Sequence, residues 1–79
     1  MRNTIHQITY VHFTRDVMML IVDGNSIQVP LSHLSKKLLQ ASDELKNAFV
    51  ISPSGYGIHW PELDEDLSVN KILEQAQLL

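Results

Sequence analysis

The chain has 79 residues, 44% of them hydrophobic and 19% charged, a formal net charge of −3 and no cysteine. So short a chain makes a single domain, residues 1–79, burying only about 60–65% of the surface its unfolded form exposes, and its composition is that of a folded globular domain, not of a disordered chain. Without cysteine there is no disulfide framework or thiolate zinc site, and the scattered Lys and Arg residues, only Lys36-Lys37 being contiguous, form no basic stripe of the kind nucleic-acid binding needs.

Met1 to Gln7 hold no apolar core of signal-peptide length. The longest apolar run, Val17 to Val22, is six residues, too short to span a bilayer. A cytoplasmic domain without membrane contact is the expectation. Ile8-Thr9-Tyr10-Val11-His12-Phe13 is rich in β-branched and aromatic residues and reads as a strand, followed by a polar turn at Thr14-Arg15-Asp16. Val17 to Val22 and Ser26 to Leu31 form a hairpin about Asp23-Gly24-Asn25, because Asp-Gly supplies the positive φ angles of a tight turn. Alternation places Met18, Leu20, Val22, Ile27, Val29 and Leu31 on one apolar face, the expected core. The opposite face carries Met19 and Ile21 beside Ser26 and Gln28. It is covered either by the rest of the chain or by a partner, with Met19 and Ile21 as candidates for an oligomer face.

Pro30 cannot donate to a ladder and belongs at a strand end or edge. The 3-4-3-4 spacing of Leu31, Leu34, Leu38, Ala41 and Leu45 then predicts one core-facing helix, with Ser32 as its N-cap. Ser42-Asp43-Glu44 reads as a second N-cap, which leaves two short consecutive helices equally open. Phe49 to Ser52 and Tyr56 to Trp60 read as short strands around a turn at Pro53-Ser54-Gly55. A last helix begins near Val69, capped by Ser68, with a hydrophobic staple from Leu67 to Ile72 and with Ile72, Leu73 and Ala76 facing inward.

Four carboxylates, Glu62, Asp64, Glu65 and Asp66, crowd into five positions between the only tryptophan, Trp60, and this helix. Two readings compete. The carboxylates favour a helix N-terminus electrostatically and cap its free N–H groups, or they form a recognition surface for a basic protein, since clustered carboxylates steer association and accept bidentate arginine. An EF-hand counted from Asp64 fails, lacking glycine at position six and glutamate at position twelve. His59 beside Asp64 or Glu62 could make an acid–base pair, but no Ser or Cys stands out as its nucleophile. The four histidines show no metal-ligand spacing. No cofactor or metal is expected.

The run GYGIHWPELDEDLSVNKIL, residues 55–73, closely resembles the signature of a small prokaryotic family catalogued as domain of unknown function 2442, G-x-G-I-x-W-P-x-L-D-E-D-(I/L)-S-V followed by a short helix. The resemblance covers nearly the whole chain, strand, Asp-Gly hairpin, helix and acidic signature following in family order. The chain departs from it at His33 to Leu38, where members often carry an aromatic-aromatic-Pro-Arg-Leu run, and at Ser42-Asp43-Glu44, where they often carry Thr-Pro-Glu. The resemblance implies a small α+β domain, and some members resemble the antitoxin half of two-gene modules. Others carry an extra helix-turn-helix domain; this chain does not, so direct operator binding is not expected.

The expectation is therefore an α+β fold: a small antiparallel sheet, from the N-terminal strand, the hairpin and two short strands, packed on one central helix and a short C-terminal helix. The expected role is a non-enzymatic interaction domain, the antitoxin-like partner of a small basic protein, binding through His59, Trp60, Glu62, Asp64, Glu65 and Asp66, with a homodimer as a further option. The alternatives are a stand-alone structural domain carried on a mobile element, and a small hydrolytic enzyme using His59.

Overall fold

The computed structural model describes residues 6–53 and 55–78; the readings at Met1 to Ile5 and at Ser54 lie outside them. Strands β1 (Ile8–Thr14), β2 (Val17–Val22) and β3 (Asn25–Pro30) come first. A single 3-10 turn (Leu31–His33) and two one-turn helices, α1 (Lys36–Leu39) and α2 (Asp43–Lys46), follow. The chain continues through β4 (Val50–Ile51), β5 (Gly57–Trp60), β6 (Glu65–Ser68), α3 (Val69–Gln75) and β7 (Gln77–Leu78). The fold is α+β, as expected, but the strands make two antiparallel sheets and not one: β1-β2-β3-β7 and β4-β5-β6.

The hairpin forms as its alternation requires. Asp23 and Gly24 both have positive φ, +53° and +84°, and Val22 pairs with Asn25, the geometry of a two-residue type I′ loop. Met18, Leu20, Val22, Ile27, Val29 and Leu31 are all buried. In β1 strict alternation would turn Ile8 outward, since Val11 and Phe13 face the core. A bulge between Ile8 and Tyr10 adds one residue and returns Ile8 to the core side opposite Val22, where it packs on the buried cluster. Pro30 ends β3 opposite Val17, a position that asks no N–H of it.

The single central helix does not form. Leu31, Leu34 and Leu38 are buried as predicted, but Ser35 sits in an extended conformation (φ −160°, ψ 117°), and its hydroxyl accepts the Leu38 N–H. That cap starts α1 in the middle of the predicted stripe, displacing Ser32. Ser42 does the same for α2, accepting from the Leu45 N–H, so the second cap seen in the sequence is real and the helix is cut twice. Ser68 caps α3 through the Lys71 N–H. Ile72 is buried and Ala76 half-buried, whereas Leu73 is largely exposed, because a helix of seven residues turns only part of its surface to the core.

The two sheets meet over a shared core. Trp60, at 0% exposure, lies among Phe13 and Phe49 with ring centroids 6.4 Å away, both in edge-on arrangements. Its indole N–H donates to the Lys46 carbonyl at 2.9 Å. Lys46 is itself 5% exposed and donates from Nζ to the Arg15 carbonyl at 2.9 Å. Its aliphatic stem covers apolar surface while the ammonium ties α2 to the β1–β2 turn. Gly55, with φ +64°, packs where a Cβ would strike the His6 carbonyl, so the segment before β5 lies directly against the entry to β1.

Candidate functional site: the acidic hairpin

The acidic segment is a β-hairpin, not a helix-capping loop. Trp60 pairs with Glu65, His59 with Asp66, Ile58 with Leu67 and Gly57 with Ser68. Pro61, Glu62, Leu63 and Asp64 form the loop, closed by the Leu63 N–H to the Trp60 carbonyl (3.1 Å) and the Asp64 N–H to the Pro61 carbonyl (3.3 Å). Each residue type has a local reason. Pro61 comes with the φ that the first position of such a turn needs. Leu63 packs on the core. Asp64 takes φ +52°, a left-handed conformation that Asp and Asn tolerate best after glycine.

The four carboxylates divide by strand geometry. Glu65 shares the inward side with Trp60, and there it accepts a hydrogen bond from the Ser35 hydroxyl. It is half-buried and thus holds the cap of α1. Asp66, one residue on, faces outward and bonds His59 Nδ1 at 2.6 Å, with 78% and 42% of the two side chains exposed. Glu62 and Asp64 are exposed on the loop, and the Asp64 carbonyl accepts from Lys37 Nζ at 3.3 Å. Ser68 caps α3, and none of the four carboxylates bonds a backbone N–H of that helix among the described residues. Capping of α3 is therefore performed by Ser68, as read from the sequence, and not by the carboxylates, while Glu65, one of the residues expected to bind a partner, is engaged by Ser35.

The outward side of this sheet is a shallow groove of about 390 Å³ bounded by Ser52, Tyr56, Ile58, His59, Asp66 and Ser68. Tyr56, 68% exposed, and Val50, 54% exposed and paired with His59, add apolar surface beside it. Sequence reading missed Tyr56 and Val50; the alternation of Val50 with Ile51 across from His59 was the available signal. The His59–Asp66 contact orients the imidazole, and among the described residues no hydrogen-bond partner reaches Nε2. Neither serine hydroxyl reaches it: Ser52 Oγ is bonded to both the carbonyl and the N–H of Gly57, and Ser68 Oγ is the helix cap. Among the described residues no three His, Cys, Asp or Glu side chains converge as a cation's ligands would, and no helix is long and apolar enough to cross a membrane.

Beside Ile51, Pro53 and Gly55, Asp23 accepts from His6 Nδ1 (2.7 Å) and from the Gln7 N–H (2.9 Å). The His6 hydrogen bond, then that of Gln7, holds its carboxyl below the usual aspartate range. Met19 and Ile21 stand on the outward side of the four-stranded sheet, half-buried between Tyr10 and His12 of β1 and Ser26 and Gln28 of β3. A dimple of about 100 Å³ on this side is lined by residues of β1, β2 and β3 alone.

The chain belongs to the family described as "Protein of unknown function (DUF2442)", whose model matches residues 8–77. Comparison with curated proteins and with solved structures gives no match.

Proposed function

We propose that this domain is a non-enzymatic protein-interaction module that captures a small basic protein, the antitoxin-like member of a two-gene pair. One observation carries the reading. Glu62, Asp64 and Asp66 stand in solvent on a hairpin whose base is pinned by the fully buried Trp60 and by Glu65 on Ser35. Three carboxylates held on one hairpin steer a cationic partner and cost little ordering entropy when it docks. Tyr56 and Val50 supply apolar contact, and His59 orients Asp66. Trp60 and Glu65 belong to this reading as supports beneath the surface, and self-association through the Met19 and Ile21 side of the other sheet is a second part of it.

The test is capture of the basic product of a neighbouring reading frame by the domain and by its Glu62→Lys/Asp66→Lys variant. The variant should melt within about 1 kcal/mol of the parent, since it alters exposed groups only. Its association rate should fall at least about tenfold at low salt, with the difference shrinking as salt screens the charges. Equal capture by parent and variant at low salt would refute the proposal.

A further inference from the structure

We infer that two copies of this chain join through the free edge of β1, continuing the four-stranded sheet across a two-fold axis at His12. This goes beyond the proposed function: it places self-association along a strand edge in place of the Met19 and Ile21 face, and it is independent of the basic partner.

The argument starts from hydrogen-bond direction. Pro30 has no N–H and stands opposite Val17, so Val17 belongs to a pair that does not exchange hydrogen bonds with β3. In an antiparallel ladder such pairs alternate with bonded ones. Val17, Met19 and Ile21 therefore direct their backbone groups toward β1, and their partners Thr14, His12 and Tyr10 direct theirs back. The N–H and C=O groups of Val11 and Phe13 are left pointing out of the sheet. Among the described residues no element pairs with that edge, and no backbone hydrogen bond from another described segment reaches Val11 or Phe13.

Natural sheets protect such an edge with charges, proline or a bulge along it. Here the bulge lies at the start of β1, before Tyr10, and from Ile8 to Thr14 the strand carries no Asp, Glu, Lys, Arg or Pro. The molecule's other edges differ: β4 and β7 are two residues long, and β6 presents Glu65 and Asp66, which would repel their own copies. Of these edges, only β1 is long enough and neutral enough to meet itself.

Pairing about His12 sets Val11 against the Phe13 of a second copy, and the reverse, which uses all four outward N–H and C=O groups on each side. The bulge at Thr9 is left outside the paired register. On the outward face Tyr10 meets Thr14 and His12 meets its own copy. Tyr10 and His12 already stack within the chain, centroids 6.0 Å apart, and the joined face is a continuous row with no Asp, Glu, Lys or Arg opposed to its like.

Two measurements test this, both on the full chain. Sedimentation velocity over a concentration series should show a monomer–dimer equilibrium. Val11→Pro removes the outward N–H and none of the β1–β2 ladder bonds, at the cost of some core packing by the Val11 side chain, and should raise the dimer Kd at least about tenfold while leaving the far-UV spectrum unchanged. The second test uses the absence of native cysteine. Residues facing each other in a non-bonded antiparallel pair have Cα atoms about 4.5 Å apart, within disulfide reach. His12→Cys should therefore oxidise to a covalent dimer, whereas Gln28→Cys, two strands in on the same face, should not. A strictly monomeric parent overturns the inference, and so does cross-linking of Gln28→Cys with His12→Cys left reduced, which would mean that the sheets stack face to face. If Val11→Pro fails to fold, the cysteine pair decides alone.

Discussion

Replacing Trp60 by phenylalanine separates a supporting role for this residue from a contact role. Trp60 is wholly buried, packs edge-on against Phe13 and Phe49, and donates its indole N–H to the Lys46 carbonyl at 2.9 Å. Phenylalanine keeps a six-membered ring among the same neighbours but removes the donor and the second ring. The orphaned buried carbonyl costs about 1–3 kcal/mol, and the space of the lost ring adds about 1–2 kcal/mol at the level of a modest core truncation. The expected loss is about 2–5 kcal/mol, a large share of the roughly 5–15 kcal/mol available to a small domain. Urea denaturation followed by far-UV circular dichroism measures it; fluorescence cannot, because the variant has no tryptophan. The slope with denaturant should hold and the midpoint should fall. Below the transition the folded variant should bind a basic partner as the parent does. A change under about 0.5 kcal/mol, or a lost partner with unaltered stability, would refute the supporting role.

Four further outcomes follow from the same structure. Leu20→Ala, at a fully buried site in the middle of the hairpin, should cost about 2–5 kcal/mol by chemical denaturation; a loss under about 1 kcal/mol would contradict the packing. Glu65→Ala should destabilise by about 1–2 kcal/mol through the loosened Ser35 cap, and with Ser35→Ala the double variant should lose less than the sum of the two single losses, so additive losses in the double-mutant cycle would disprove the link. Lys46→Met should fold with little change, its stem filling the same space, whereas Lys46→Asp should not fold; equal stability of the two would show that the site is not buried. The folded Asp23 carboxyl titrates below its unfolded value, so its contribution is present above the unfolded pKa and is lost as pH falls through the folded one. Asp23→Asn keeps the left-handed turn residue and should flatten the acid limb of stability below about pH 4; an unchanged slope would exclude the His6–Asp23 contact in solution.

Local pattern alone determined the hairpin, its buried face, the Asp-Gly turn, the Ser42 and Ser68 caps and the family, because each rests on residues within a few positions of one another. Alternation and turn chemistry are short-range physics. Three features required the tertiary structure. The helix predicted from Leu31 to Leu45 is cut at Ser35, whose capping hydroxyl also donates to Glu65, thirty residues away, and no periodicity encodes a contact at that distance. Strand β6 is built from Glu65-Asp66-Leu67-Ser68, a run with poor strand propensity, and forms because β5 offers a ladder and Leu67 a buried position. The carboxylates looked alike in one dimension. Only the pleat of that hairpin, turning Glu65 inward to Ser35 and Asp66 outward to His59, makes one a structural clasp and leaves the other in water.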